Sequence, residues 1–306
     1  MLANQALRRE ETRLRLATVR LEGVETAAVV LDNGAVPMGV INDSLGTGWP
    51  TELLLLSAED HLGDLRRWRD ELSADELKEI SDKAVPLSEI SYAPLYRRPR
   101  KIWGIGLNYV EHAQDLEEAS PTNEPASFMR PDTTIIGPGE EIVLPDQSER
   151  VTAEAELALI IGREAKDISE EEAPSVVSGF TTVLDMTAED ILRKNPRYLT
   201  RSKSFDTFFS FGPELVTPDE IADVGALEVF TVLNGEVRRT NTVSNMMFSP
   251  WWLVSFHSQV MTLLPGDIIS TGTPGAVVIR EGDVAECRIA GFEPLSNPVV
   301  RQSGPR

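Results

Sequence analysis

A single cysteine, Cys287, stands in a chain of 306 residues, which excludes an internal disulfide and any cysteine-based zinc cluster. Histidine is scarce too, with three. Lysine is outnumbered, six against 23 arginines. The formal net charge of −20 has no basic stripe to offset it, so a nucleic acid is excluded as the natural partner. Long apolar runs are absent: the unbroken leucines Leu53 to Leu56 fall far short of the roughly 20 residues of a membrane span. The start, "MLANQALRREETRLRL", puts charges where a signal peptide needs its apolar region, so a cytoplasmic chain is expected. No internal repeat and no low-complexity tract is visible. Apolar content of 41% and charged content of 25% are ordinary for a globular protein of one large domain or two smaller ones.

The spacing of apolar residues suggests two parts. "TRLRLATVRL" alternates, and "AAVVLDNGAVPMGVI" sets two apolar runs around Asp32-Asn33-Gly34, a hairpin signal. The stretch "SAEDHLGDLRRWRDELSADELKEIS" has helical spacing, with Ser57 as its N-cap. These make a small N-terminal α+β module over residues 1–95, and "YAPLYRRPRK" forms the junction. Residues 96–306 are β-rich with short helices, punctuated by turns at Asn234-Gly235, Pro265-Gly266-Asp267 and Glu281-Gly282-Asp283. The fold class is therefore α+β with strands dominant.

The stretch "VTAEAELALIIG" carries the first hint of chemistry. Leu157 to Ile161 reads as a strand buried on both faces, and alternation points Glu154 and Glu156 the same way at its mouth. Two like charges entering a core lose hydration and repel, at roughly several kcal/mol per ion when unpaired. Either this is a solvated strand end or something positive sits there: a metal ion, lysine or arginine. Further on, "GFTTVLDMTAED" reads as a strand from Phe180 to Leu184, ended by Asp185. An aspartate there is ordinarily a turn former. A third carboxylate would also complete an all-oxygen site, which suits Mg²⁺, Mn²⁺ or Ca²⁺ and disfavours zinc.

Seven stretches, "IWGIGLNYVEHAQD", "FMRPDTTIIGPGEEIVLP", "AEAELALIIG", "GFTTVLDMTAED", "RSKSFDTFFSFGP", "LNGEVRRTNTVSNMMFS" and "LLPGDIISTGTPGAV", resemble in that order the fumarylacetoacetate hydrolase family. The likeness runs over about residues 96 to 300, and the leading module resembles that family's variable N-terminal domain. The resemblance implies a mixed β-sandwich roll and a homodimer. It implies that Glu154, Glu156 and Asp185 bind one divalent metal, Mg²⁺ or Mn²⁺, and that Lys203 faces a small-molecule substrate. A compact ammonium suits an enolate as it forms. His112 opens an H-x-x-D pattern, so Asp115 three residues on could orient it. The family more often has glutamate where Asp115 stands, in a dyad that activates water. His61 and His257 lack such a setting and are read as structural, as are Trp251 and Trp252. "GIG" at Gly104 to Gly106 lacks the third glycine of a dinucleotide loop and reads as a close-packed turn. "GTPG" at Gly272 to Gly275 is a turn whose Thr273 borders the ligand in the family.

One departure bears on substrate. Where the family commonly has arginine after the metal aspartate this chain has Glu189, and Leu192 replaces its usual glutamine. Those two typically hold the 2-oxo acid carboxylate. A glutamate there should repel an anion, unless Arg130, Arg193 or Arg197 substitutes. The implied activity is metal-dependent hydrolysis of a carbon–carbon bond in a small β-dicarbonyl or 2-oxo acid. The alternatives are decarboxylation, isomerisation or dehydration through the same metal–enolate site, and a protein that has lost its chemistry and only binds a metal–ligand complex.

Overall fold

The computed structural model describes residues 14–110 and 123–301. The first strands fall where alternation places them: β1 (Arg15–Leu21), β2 (Val24–Leu31) and β3 (Gly34–Pro37), with Asp32 and Asn33 as the two-residue connection between paired Leu31 and Gly34. A short helix, Leu53–Leu56, precedes the helical stretch, which itself divides into Glu59–Glu71 and Ala74–Ser81. Ser57 ends the short helix instead of opening the next, donating its hydroxyl to the Leu54 carbonyl. The helix Glu59–Glu71 has Ala58 at its N-cap with no side-chain bond, and Ser73 caps the next helix, its side chain accepting from the Glu76 N–H while Glu76 reaches back to the Ser73 N–H.

The remaining strands are β4 (Ile102–Gly106), β5 (Ala126–Met129), β6 (Ile135–Ile136), β7 (Ile142–Leu144), β8 (Val151–Ile161), β9 (Val177–Ala188) and β10 (Phe209–Val216). After them come β11 (Glu228–Leu233), β12 (Glu236–Thr242), β13 (Ile268–Ser270), β14 (Val277–Ile279), β15 (Val284–Ile289) and β16 (Leu295–Arg301). Among the described residues they form an 11-stranded sheet, in order β3-β2-β1-β10-β9-β8-β13-β4-β5 with β14 and β6 alongside, and a 5-stranded sheet, β12-β11-β15-β16-β7. The leading strands continue the larger sheet, because β1 pairs antiparallel with β10. Asn234 and Gly235, both at positive φ, turn β11 into β12 as expected of Asn-Gly.

Both faces of the large sheet are covered, which explains the continuous apolar run Leu157 to Ile161 in β8. The odd-numbered residues of β8, Val151 to Ile161, pack into one core with Val229, Ala285, Cys287 and Leu295 of the second sheet. Ala158, Ile160 and Val183 face the other way, into a core shared with the N-terminal helices through Ile41, Leu56, Leu62 and Leu65. Among the described residues, no helix is long and apolar enough to cross a membrane.

"GIG" is not a turn. Gly104 lies inside β4 opposite Phe128 of β5, whose ring fills the space a side chain would need. Trp251 and Trp252 pack as expected, edge-on to Phe180 and stacked on Phe256 respectively. His61 lies in the helix Glu59–Glu71. His257 is buried, its Nδ1 donating to the Leu253 carbonyl while Nε2 meets the Ser127 hydroxyl, so its role is structural.

Candidate active site

The two glutamates stand in the interior of β8, not at its mouth, and Asp185 lies inside β9 instead of ending it. All three are buried. The antiparallel register sets Glu154 directly opposite Asp185, so their side chains leave the same face of the sheet. That is the face turned away from the smaller sheet.

The positive charge comes from distant segments. Lys203, ending the helix Leu199–Lys203, is buried with its Nζ 3.0 Å from Glu154 Oε2 and 2.9 Å from Asp185 Oδ1. Burial alone would depress its pKa, but Asp185 and Glu154 outweigh this and hold it above the ordinary lysine value. Arg130, after β5, donates to Asp185 Oδ1 and, at 2.7 Å each, to the carbonyls of Lys203 and Phe208. These hydrogen bonds join Asp185 to the Lys203 segment. The Phe128 ring lies 5.1 Å from Lys203 Nζ and 5.5 Å from the Arg130 guanidinium carbon.

Thr152 and Thr187 donate to Glu154 Oε1 at 3.0 and 2.8 Å. Glu156 is turned aside, accepting from the Ser270 hydroxyl and, at 2.9 Å, from the Gly272 N–H. Burial, and then the nearby Asp185 charge, push the Glu156 carboxyl up to about 8. Thr152 and Thr187 were legible as neighbours, each being two residues from an acid on the same strand face. Ser270 and Gly272 arrive through the pairing of β13 with β8, and nothing local announces them.

Among the described residues, no three His, Cys, Asp or Glu side chains converge in a geometry that would hold a metal. Glu154 and Asp185 are drawn to Lys203, and Glu156 to Ser270 and Gly272. The donor set nevertheless fits a hard cation: it is all carboxylate oxygen, and Asp185 Oδ2 is buried without a hydrogen-bond partner.

A cavity of about 360 Å³ opens on this cluster, lined by Glu154, Thr187, Lys203, Leu192, Leu199 and Glu189 among others. Glu189 does border the cavity, but not as a bare charge. One of its oxygens pairs with Arg150 and the other, at 3.0 Å, with Arg193 four residues on. The repulsion expected of a glutamate here is therefore offset by two guanidinium groups. Thr273 is buried, and its hydroxyl accepts from the Gly275 N–H at 3.2 Å, bracing its own loop. His112 and Asp115 lie outside the described residues.

The family model for the fumarylacetoacetate (FAA) hydrolase C-terminal region matches residues 101–300. An uncharacterised protein of Archaeoglobus fulgidus is 41% identical over 218 residues, covering 71% of this chain and 85% of that one. The human mitochondrial oxaloacetate tautomerase FAHD2A is 37% identical over 225 residues, 71% of each chain. Among solved structures, a 5-carboxymethyl-2-hydroxymuconate delta-isomerase from Mycobacterium smegmatis superposes with a TM-score of 0.73 at 30% identity, covering 95% of this chain and all of that one. A maleylpyruvate hydrolase from Sphingobium sp. SYK-6, in complex with manganese(II) ion and pyruvate, superposes at 0.77 with 27% identity over 95% of this chain and 100% of its own. With two thirds of its length matched and its mixed, sheet-rich fold shared, this chain belongs to the fumarylacetoacetate hydrolase family.

Proposed function

We propose that this chain is a divalent-metal-dependent enzyme that forms an enolate from a small β-dicarbonyl or 2-oxo acid and uses water to cleave its carbon–carbon bond. The observation that carries this reading is Lys203: a buried ammonium, 3.0 Å from Glu154 and 2.9 Å from Asp185, that lines the cavity. Glu154, Glu156 and Asp185 would hold Mg²⁺ or Mn²⁺, with Ca²⁺ suited to the same donors, and the cation would supply Lewis-acid polarisation of substrate oxygens. Lys203 opposes the negative charge that develops on an oxygen as the enolate forms. His112, oriented by Asp115, takes a proton from water as its oxygen adds to the distal carbonyl. The carbon–carbon bond breaks with its electron pair leaving on the departing carbon, whose enolate takes up a proton to complete the reaction. The manganese and pyruvate bound in the Sphingobium hydrolase support this reading. To it belong a cytoplasmic homodimer with neither membrane nor nucleic acid as partner, and a division into residues 1–95 and 96–306.

A second reading stops at the enolate, as a tautomerase or isomerase; decarboxylation and dehydration would use the same groups. It is favoured by the oxaloacetate tautomerase and the delta-isomerase among the similar proteins. The test is a panel of acylpyruvates and oxaloacetate with and without Mn²⁺, following cleavage products and solvent deuterium exchange at carbon 3. Metal-dependent cleavage supports the first reading, and exchange without cleavage supports the second. Neither would sink both and leave a binding protein.

A further inference from the structure

We propose that Thr152, Thr187 and Ser270 select the cation of this site by fixing which oxygen of each glutamate can ligate it, so that Mn²⁺ or Mg²⁺ is taken and Ca²⁺ is discriminated against. The inference goes beyond the metal-dependent reading and rests on Glu154, Glu156 and Asp185 holding the ion. Each of these three carboxylates has one oxygen that already accepts two hydrogen bonds. Glu154 Oε1 accepts from the Thr152 and Thr187 hydroxyls. Glu156 Oε2 accepts from the Ser270 hydroxyl and the Gly272 N–H. Asp185 Oδ1 accepts from Lys203 and Arg130. A carboxylate oxygen offers two lone pairs, so these three oxygens are filled. Their opposite numbers differ: Asp185 Oδ2 is buried without a hydrogen-bond partner, Glu156 Oε1 accepts none from a described residue, and Glu154 Oε2 meets Lys203 at 3.0 Å. Donors recruited only to offset burial would be shared between both oxygens, since each one loses hydration. Here they gather on one.

The sheet builds this arrangement. Thr152 stands opposite Thr187 in the β8–β9 register, two residues along from Glu154 opposite Asp185, so all four leave one face. Thr152, Thr187 and Ser270 are buried, so their hydroxyls stay on the carboxylates and not on water. The Gly272 N–H is fixed through its neighbour: Thr271 donates its N–H and its hydroxyl to the Leu157 carbonyl, and its own carbonyl accepts from Asn108. Mg²⁺ demands roughly six oxygens in octahedral array and needs one from each carboxylate, whereas Ca²⁺ takes about six to eight and often draws two from the same carboxylate. A second oxygen becomes available on either glutamate only if a hydroxyl or N–H lets go. The discrimination thus lies in side chains that never touch the ion.

The test titrates Mn²⁺ and Ca²⁺ separately, without substrate, into the wild type, Thr152→Val, Thr187→Val and Ser270→Ala, with calorimetry giving each Kd and thermal unfolding checking each fold. Valine keeps the shape of threonine and removes the donor. We expect the wild type to bind Mn²⁺ at least about tenfold more tightly than Ca²⁺, and each variant to lose Mn²⁺ affinity by about tenfold or more while its Ca²⁺ affinity holds or rises. A merely structural role would lower both affinities together and leave their ratio unchanged. No binding of either ion, a wild-type ratio near one, or a ratio that survives all three substitutions overturns the inference. The same preparations assayed with Mn²⁺ on acylpyruvates and oxaloacetate separate the two claims. A ratio that shifts in a protein without turnover supports the selection and counts against the enolate reading; metal-dependent turnover with an unshifted ratio does the reverse.

Discussion

Replacing Gly104 by alanine probes the packing on which the site rests. An ideal Cβ at this position lies 2.2, 2.5 and 2.8 Å from three ring carbons of Phe128, the residue paired with it across β4 and β5. The same ring packs near Lys203 Nζ and the Arg130 guanidinium. The added methyl can be met in two ways. If the ring stays, overpacking costs roughly 1–3 kcal/mol. If it swings out, the protein loses about 1.5–3 kcal/mol of phenylalanine burial and the ring's contacts with two cations, about 0.5–1 kcal/mol or more each. The first route costs about 1–3 kcal/mol and the second about 2.5–5 kcal/mol, so the cheaper one sets the expected loss at about 1–3 kcal/mol, and both disturb the groups beside Lys203. Urea unfolding followed by two probes measures the loss. Phe128→Leu alone should cost about 1 kcal/mol, and in the double variant the methyl should find room, so the two losses should fall short of their sum by about 1 kcal/mol or more. A loss under about 0.5 kcal/mol for Gly104→Ala, or strict additivity, would refute the idea that the ring fills the glycine's side-chain space.

Three further outcomes are expected. Alanine at Glu154, Glu156 or Asp185 should abolish Mn²⁺ uptake in calorimetric titration, and chelation of the wild type should lower its stability by about 2.7 kcal/mol relative to metal at a hundredfold excess over Kd; wild-type affinity in any one variant would break the triad. His112→Asn should keep Mn²⁺ yet lose carbon–carbon cleavage by roughly 10²-fold or more, and unchanged cleavage would remove its role as general base. The acid dependence of stability should involve Glu25 and Glu140: burial pushes both carboxyls up, but Arg97 and Arg20 outweigh it and hold both below the ordinary value of 4.5. A lowered folded-state pKa gives stability that is present above pH 4.5 and fades as pH falls through the folded value. Arg97→Gln should therefore cost up to about 1 kcal/mol at pH 7 after solvent screening, and progressively less below pH 4.5. An undiminished cost at pH 3 would contradict this.

The sequence by itself determined the local chemistry of this protein. The continuous run Leu157 to Ile161 marked β8 as a strand buried on both faces, alternation put Glu154 and Glu156 on one side of it, and Phe180 to Leu184 was legible as a strand within β9. Asn-Gly placed the hairpin of β11 and β12, and Gly266 and Gly282 marked the turns before β13 and β15, because these residues reach positive φ at little cost. The acids and Lys203 were legible as a cluster only through the family resemblance, since 18 residues separate Lys203 from Asp185 and 49 from Glu154. Strand ends were misjudged for a physical reason. A buried carboxylate resembles a strand terminus until its partners are known, and those partners, Lys203, Arg130, Ser270 and Gly272, come from other parts of the chain. Glu189 shows the same division within one residue. The charge reversal was plain in the sequence, and its pairing with Arg193 follows helical spacing. Its neutralisation by Arg150, 39 residues away, was not. Tertiary structure alone decided that, because the burial of a charge is settled by whichever opposite charge the fold brings to it, and no local pattern records which one that is.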